Sequence, residues 1–192
     1  MDERLYCIFG FAAPTVSLAS IAASILLSPW FSWRINALSD LGHATRSSVS
    51  PIFNLGLLLG GFFMVIYVGT IFRRYSKYTS VCITVSAFTL QLIATFNEVY
   101  PLLHLIVSVL FFLSIGVSLI VYSIEKKVYV ALLAFFISLL SWITYERLYD
   151  LGVAVPETVS SLAVSSFIVY SAARIYLGKD KSDDYRTRKD VD

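Results

Sequence analysis

The chain has 192 residues, of which 57% are hydrophobic and 15% charged, with 15 Lys and Arg against 13 Asp and Glu. A soluble domain averages about 45–50% apolar and about 25% charged residues. The composition therefore excludes a soluble globular domain, a disordered chain and a nucleic-acid binder built on a basic patch. Ten of the 28 charged side chains fall in residues 178–192, and what precedes them reads as an integral membrane protein.

A bilayer core about 30 Å thick is crossed by about 20 apolar residues of helix. Six segments meet that length, at about residues 6–29, 51–72, 79–96, 101–123, 128–145 and 155–177. The expected fold class is all-α, a polytopic membrane bundle of six transmembrane helices over residues 1–177, with a disordered, charged tail over 178–192. Pro51, Pro101 and Pro156 open segments two, four and six, where a missing N–H costs little. Pro14 lies inside the first segment, so a kink is expected there. The Met-Asp-Glu-Arg start is not a positively charged leader, so the first segment is expected to be a retained span.

Placing the N-terminus inside puts 12 of the 15 Lys and Arg on the inner side. The positive-inside rule then predicts a multi-pass protein of the cell membrane with both termini cytoplasmic. Cys7 and Cys82 fall near the inner ends of their helices and are expected to be reduced structural thiols. Trp30, Trp33 and Trp142 fall near outer helix ends, as interface anchors do. Close helix packing in lipid needs small residues. Helix one offers Ala13, Ser17, Ser20 and Ser24, helix two Gly56, Gly60 and Gly61, and helix six Ser161, Ser165 and Ala172.

The connections are short except residues 30–50, WFSWRINALSDLGHATRSSVS, predicted to be an outer loop. Long irregular loops are uncommon and often functional. The unusual polar residues gather on the same predicted side. Asn54 is one turn into helix two, Asn97 and Glu98 end helix three, and His104 is one turn into helix four. Glu146, Arg147 and Asp150 end helix five, and Glu157 begins helix six. These last four read as a solvated rim. The span centres hold no Asp, Glu, Lys, Arg or His, which disfavours proton-coupled transport.

Asn36-Ala37-Leu38-Ser39-Asp40-Leu41-Gly42 resembles an N-x-[hydrophobic]-S-D-L-G signature, and Pro51-Ile52-Phe53-Asn54-Leu55-Gly56-Leu57 resembles a companion P-x-F-N-x-G-L. With His104 in the run HLIVSVLFFL, they resemble archaeal and bacterial membrane proteins catalogued as domain of unknown function 998 (DUF998), over roughly residues 5–178. That family more distantly resembles a eukaryotic six-helix group with proteins of glycolipid-anchor remodelling and autophagy. The resemblance implies a prokaryotic membrane protein and, loosely, lipid handling; it implies no settled activity. Members often carry an acid followed by proline at the end of helix three. Here Val99 and Tyr100 separate Glu98 from Pro101.

Three functions remain open on these residues. Asn36, Ser39, Asp40, His43, Asn54, Glu98 and His104 can form an outward-facing polar pocket under the loop that holds a lipid head group, with Arg34 or Arg46 pairing a phosphate. Asp40, His43, Glu98 and His104 are donor types that bind divalent metals, and a metal there would support hydrolysis of lipid-like substrates. In a purely structural or scaffolding protein the signature is a loop clasp: Asp and Ser bond nearby backbone, Gly42 supplies a positive φ, and Asn54 holds a loop carbonyl. No cofactor is implied. The expected partners are membrane lipids.

Overall fold

The computed structural model describes residues 3–148 and 152–179. Six α-helices follow in chain order: α1 (Cys7–Leu26), α2 (Ser50–Thr70), α3 (Lys77–Thr95), α4 (Pro101–Lys126), α5 (Tyr129–Leu148) and α6 (Ala154–Tyr176). They run from 19 to 26 residues, about 28–39 Å at about 1.5 Å per residue. Each therefore matches the thickness of a bilayer core. Five are long and apolar enough to span a membrane, and α5 carries an apolar stretch over Tyr129–Tyr145. The expected multi-pass helical bundle is what the chain forms. The expectations for Asp150, for the side chains of Glu146 and Arg147, and for the tail from residue 180 lie outside the described residues.

Each helix packs on its chain neighbours, and α6 returns to α1. The bundle is thus a closed ring with the start of α1 and the end of α6 at one end, the chain-end side, where Arg4 lies beside Gly178. The opposite end carries the α1–α2 loop and is called the loop end here. The α1–α2 pair is the most extensive contact, and α4–α5 is the sparsest between chain neighbours.

Small residues explain the tight pair. A Cβ on Gly60 would overlap Ser17 and press on the Ala13 carbonyl, and one on Gly56 would overlap Ser20. Ser17 Oγ donates to the Gly56 carbonyl at 3.4 Å across the same seam. The predicted small-residue face of α1 therefore meets Gly56 and Gly60 of α2, whereas Gly61 faces Ala87 and Gln91 of α3. On α6 the buried small residues are Ala154, Ser160, Ser171 and Ala172. The predicted Ser161 and Ser165 are only half-buried, because α6 turns a face one position away toward its neighbours. Pro14 is buried inside α1, which runs on through it.

Two apolar clusters fill the bundle. Toward the chain-end side, ring contacts run from α2 to α6: Tyr67 tilted on Phe72 at 5.5 Å, Phe72 stacked on Tyr122 at 6.1 Å and Tyr122 edge-on to Phe167 at 4.9 Å. Tyr67 Oη and Ser171 Oγ share a buried hydrogen bond of 3.0 Å, so the phenol's polar tip is satisfied. Glu125, in the last turn of α4, accepts from the N–H groups of Tyr78 and Thr79 and from Thr79 Oγ1. A carboxylate there satisfies donors that the first turn of α3 leaves open. The second cluster, at the loop end, includes Leu38 and Leu41 of the loop itself, packed with Phe53, Leu57, Ile93 and Val107.

The packing of α1 on α2 gives a direct test. Gly60→Val should lower stability by about 1–3 kcal/mol, as overpacking does. Gly69→Ala, with nothing within 4 Å of its added carbon, should not lower it, since Ala favours helix over Gly. Thermal unfolding of both variants in the same detergent checks this, and equal melting of the two would remove the seam's role.

Candidate functional site

The α1–α2 loop is not a solvated strap. Its 3-10 turn, Leu38–Gly42, sits in the loop end of the bundle with Leu41 fully buried. Backbone buried this way must find partners, and the helices supply them. Glu157 Oε2 on α6 accepts the Leu38 N–H at 2.6 Å. Asn54 Nδ2 on α2 donates to the Gly42 carbonyl at 2.9 Å. The linker into α6 adds two bonds, Gly152 N–H to the Trp33 carbonyl and Ala154 N–H to the Asn36 carbonyl, each at 3.0 Å.

Within the turn, Asn36 and Asp40 hold each other. Asn36 Nδ2 donates to Asp40 Oδ2 at 2.8 Å, and the Ala37 N–H donates to the same oxygen at 3.1 Å. This is the carboxylate half of a capping box. Asn36 Oδ1 in turn accepts the Ser32 N–H at 2.9 Å. Both residues are spent on the loop, as the clasp expectation holds. Gly42 differs from expectation. Gly178 is the positive-φ glycine of the described residues, so Gly42 is there for space. A Cβ would stand 2.7 Å from Asn54 Oδ1 and 2.9 Å from the Phe53 ring.

Ser39 points the other way. Its hydroxyl donates to Glu98 Oε1 at 2.6 Å, and the same oxygen lies 3.3 Å from His104 Nε2. His104 Nδ1 lies 2.8 Å from the Phe96 carbonyl, which can only accept, so Nδ1 carries a hydrogen. Nε2 faces Glu98 on one side and Ser108 Oγ, at 3.4 Å, on the other. Ser39, Glu98 and His104 therefore form a connected acid–base group drawn from the loop, the α3–α4 turn and α4. Glu98 sits at its centre despite its displaced proline.

This group caps a cavity of about 800 Å³ between α4, α5 and α6. Ala37, Ser39, Glu98, His104 and Glu157 line its polar end, and Phe112, Ile115, Leu119, Ile120, Phe135 and Val164 line the rest. From His104 to Ile120 the α4 wall rises about 24 Å at about 1.5 Å per residue. Leu105, Leu113 and Leu139, which line the cavity, are also 60%, 63% and 43% exposed. The cavity thus opens sideways between α4 and α5, where their contact is sparse. Trp142, expected as an interface anchor, instead lines it and donates from Nε1 to Ser160 Oγ at 3.1 Å. Trp30 and Trp33 stay exposed on the loop.

The structure therefore divides the predicted site. Ser39, Glu98 and His104 converge on the cavity. Asn36, Asp40 and Asn54 fix the loop above it. His43 is half-buried and turned to Thr45, whose N–H and Oγ1 lie 3.4 Å from Nδ1. The four candidate metal donors are not assembled, and among the described residues no three His, Cys, Asp or Glu are placed to hold a metal ion. Arg34 and Arg46 are exposed and do not line the cavity, so neither meets a phosphate there. Residue-by-residue reading missed Glu157, Ser108, Ser160 and the inward face of Trp142. An acid in the first turn of a span was the available signal for Glu157.

A family described as protein of unknown function, DUF998, matches residues 11–174. No curated protein and no solved structure is matched by the chain.

The clasp can be tested apart from the cavity. Asn54→Ala should cost about 1 kcal/mol, one side chain–backbone hydrogen bond. Gly42→Ala should cost about 1–3 kcal/mol through the clash with Asn54 and Phe53. Both should make the loop easier to cleave in limited proteolysis. Wild-type protease resistance in both variants would show that the loop is held by its apolar residues alone.

Proposed function

The chain belongs to the DUF998 family, and on that premise we propose that it is a lipid-associated membrane protein that holds an amphiphile in the α4–α5–α6 cavity. The polar head lies under the α1–α2 loop and the hydrocarbon chain lies between the helices. The observation that carries this reading is one continuous space with two chemistries. Ser39, Glu98, His104 and Glu157 stand at one end and apolar walls continue below. The volume is that of a small-molecule site, which typically runs about 300–1,000 Å³ with few polar groups placed to fix orientation. The side opening faces where lipid chains would lie, so a ligand can enter from the bilayer without crossing the loop. The Lys and Arg distribution favours the loop end as the outer side.

A hydrolytic reading has narrower support. Glu98 and His104 hold an acid–base pair beside the Ser39 hydroxyl, which is the equipment of general acid–base chemistry. Its metal-dependent form needs donors from Asp40 and His43, and these are engaged elsewhere.

Native mass spectrometry of the full chain released from gentle detergent tests the binding reading. The wild-type protein should retain a lipid-sized adduct. Ser138→Phe, which projects a ring from α5 into the cavity, should lose most of it while circular dichroism stays helical. A bare wild-type protein, or an adduct that Ser138→Phe leaves untouched, would count against the cavity as the binding site.

A further inference from the structure

We infer that the head group of this amphiphile is a cationic amine. The inference rests on the amphiphile reading of the cavity and specifies the ligand's charge. Two acids, Glu98 and Glu157, line the polar end, and no Lys or Arg among the described residues lines it. Each acid uses one oxygen on the protein. Glu98 Oε1 meets Ser39 and His104, and Glu157 Oε2 meets the Leu38 N–H. The second oxygen of each has no hydrogen-bond partner among the described residues. Carboxylates turned toward an apolar space are costly unless paired. A primary ammonium brings three donors and no acceptor, which suits two open carboxylate oxygens and a serine hydroxyl.

An anionic head would meet two acids with no Lys or Arg among the described lining residues to pair it, which is costly in a medium of low dielectric. His104 does not reverse this. Its Nε2 already faces Glu98 at 3.3 Å. Among the described side chains of the loop end, Arg34 and Arg46 are exposed on the loop. The geometry therefore selects a long-chain amine over a fatty acid or a phosphate-headed lipid.

Three probes of one chain length separate the possibilities: dodecylamine, dodecanol and dodecanoic acid, each brominated at mid-chain. The full chain, carrying Trp30→Phe and Trp33→Phe, is placed in vesicles of zwitterionic lipid at neutral pH. Trp142, which lines the cavity, is then the only one of the three tryptophans left and reports contact by quenching. At matched mole fraction in the membrane, the amine should quench saturably with an affinity about tenfold or more above the other two, the size of one charge-assisted hydrogen bond. Glu157→Gln and, separately, Glu98→Gln should each bring the amine down toward the alcohol, since an amide can still accept from Leu38 or Ser39. Saturable quenching equal for all three probes, or strongest for the acid, would overturn the amine head group and leave the amphiphile reading standing. Absence of saturable quenching by every probe would overturn both.

Discussion

A loop inserted among apolar helices must have its backbone polar groups satisfied where water cannot reach them, and the loop end of this protein is organised by that need. Leu38 and Leu41 pull the turn into the bundle. Its N–H and C=O groups are then met by side chains reaching from separate helices, Glu157 from α6 and Asn54 from α2. Unsatisfied backbone in such a setting costs several kcal/mol per group. The position of the loop is therefore set by polar partners as much as by its leucines. The same insertion brings Ser39 down onto Glu98, so the clasp and the cavity's polar end are one construction.

That construction also explains where the bundle is tight and where it is open. Glycine against serine closes α1 on α2 at Gly56 and Gly60. Aromatic contacts tie α2, α4 and α6 together on the chain-end side. On the other flank, α4 and α5 touch least, and the rings of Phe112, Phe135 and Trp142 stand in the space between them, Phe135 opposite Gly116. Bulky rings hold helices apart where glycines would let them meet. The cavity is the consequence, and its carboxylates sit where the loop and α6 meet above it.

The signature around residue 40 was legible in the sequence as a unit but not in its division of labour. Asn36 and Asp40 turn back on the loop while Ser39 turns toward the cavity. Adjacent residues of a tight turn point in different directions, and only the turn's placement says which direction is inward. Glu98 and His104 were legible as polar residues in unusual positions. Their contact was not, because the α3–α4 turn that joins them bends the chain through Phe96, whose carbonyl holds the histidine ring. Glu157 read as rim because an acid in the first turn of a span is cheap in water. Here it lies beneath a loop. Trp142 read as belt because depth along a helix can be counted from sequence, whereas the side it faces cannot.

By itself the sequence determined the architecture: six apolar helices, five of them long and apolar enough to span a membrane, the small-residue seam between α1 and α2, and the segment that must cover one end. These follow from hydrophobic length, proline placement and the steric demands of close helices, all of which are local. The tertiary structure alone decided that Ser39, Glu98, His104 and Glu157 share one space, that Asp40 and His43 do not join them, and that Gly42 is required for room rather than for a positive φ. Those outcomes depend on how helices rotate about their axes and where a loop settles. Neither is encoded in the order of residues along any single segment, because each is set by contacts between segments far apart in the chain.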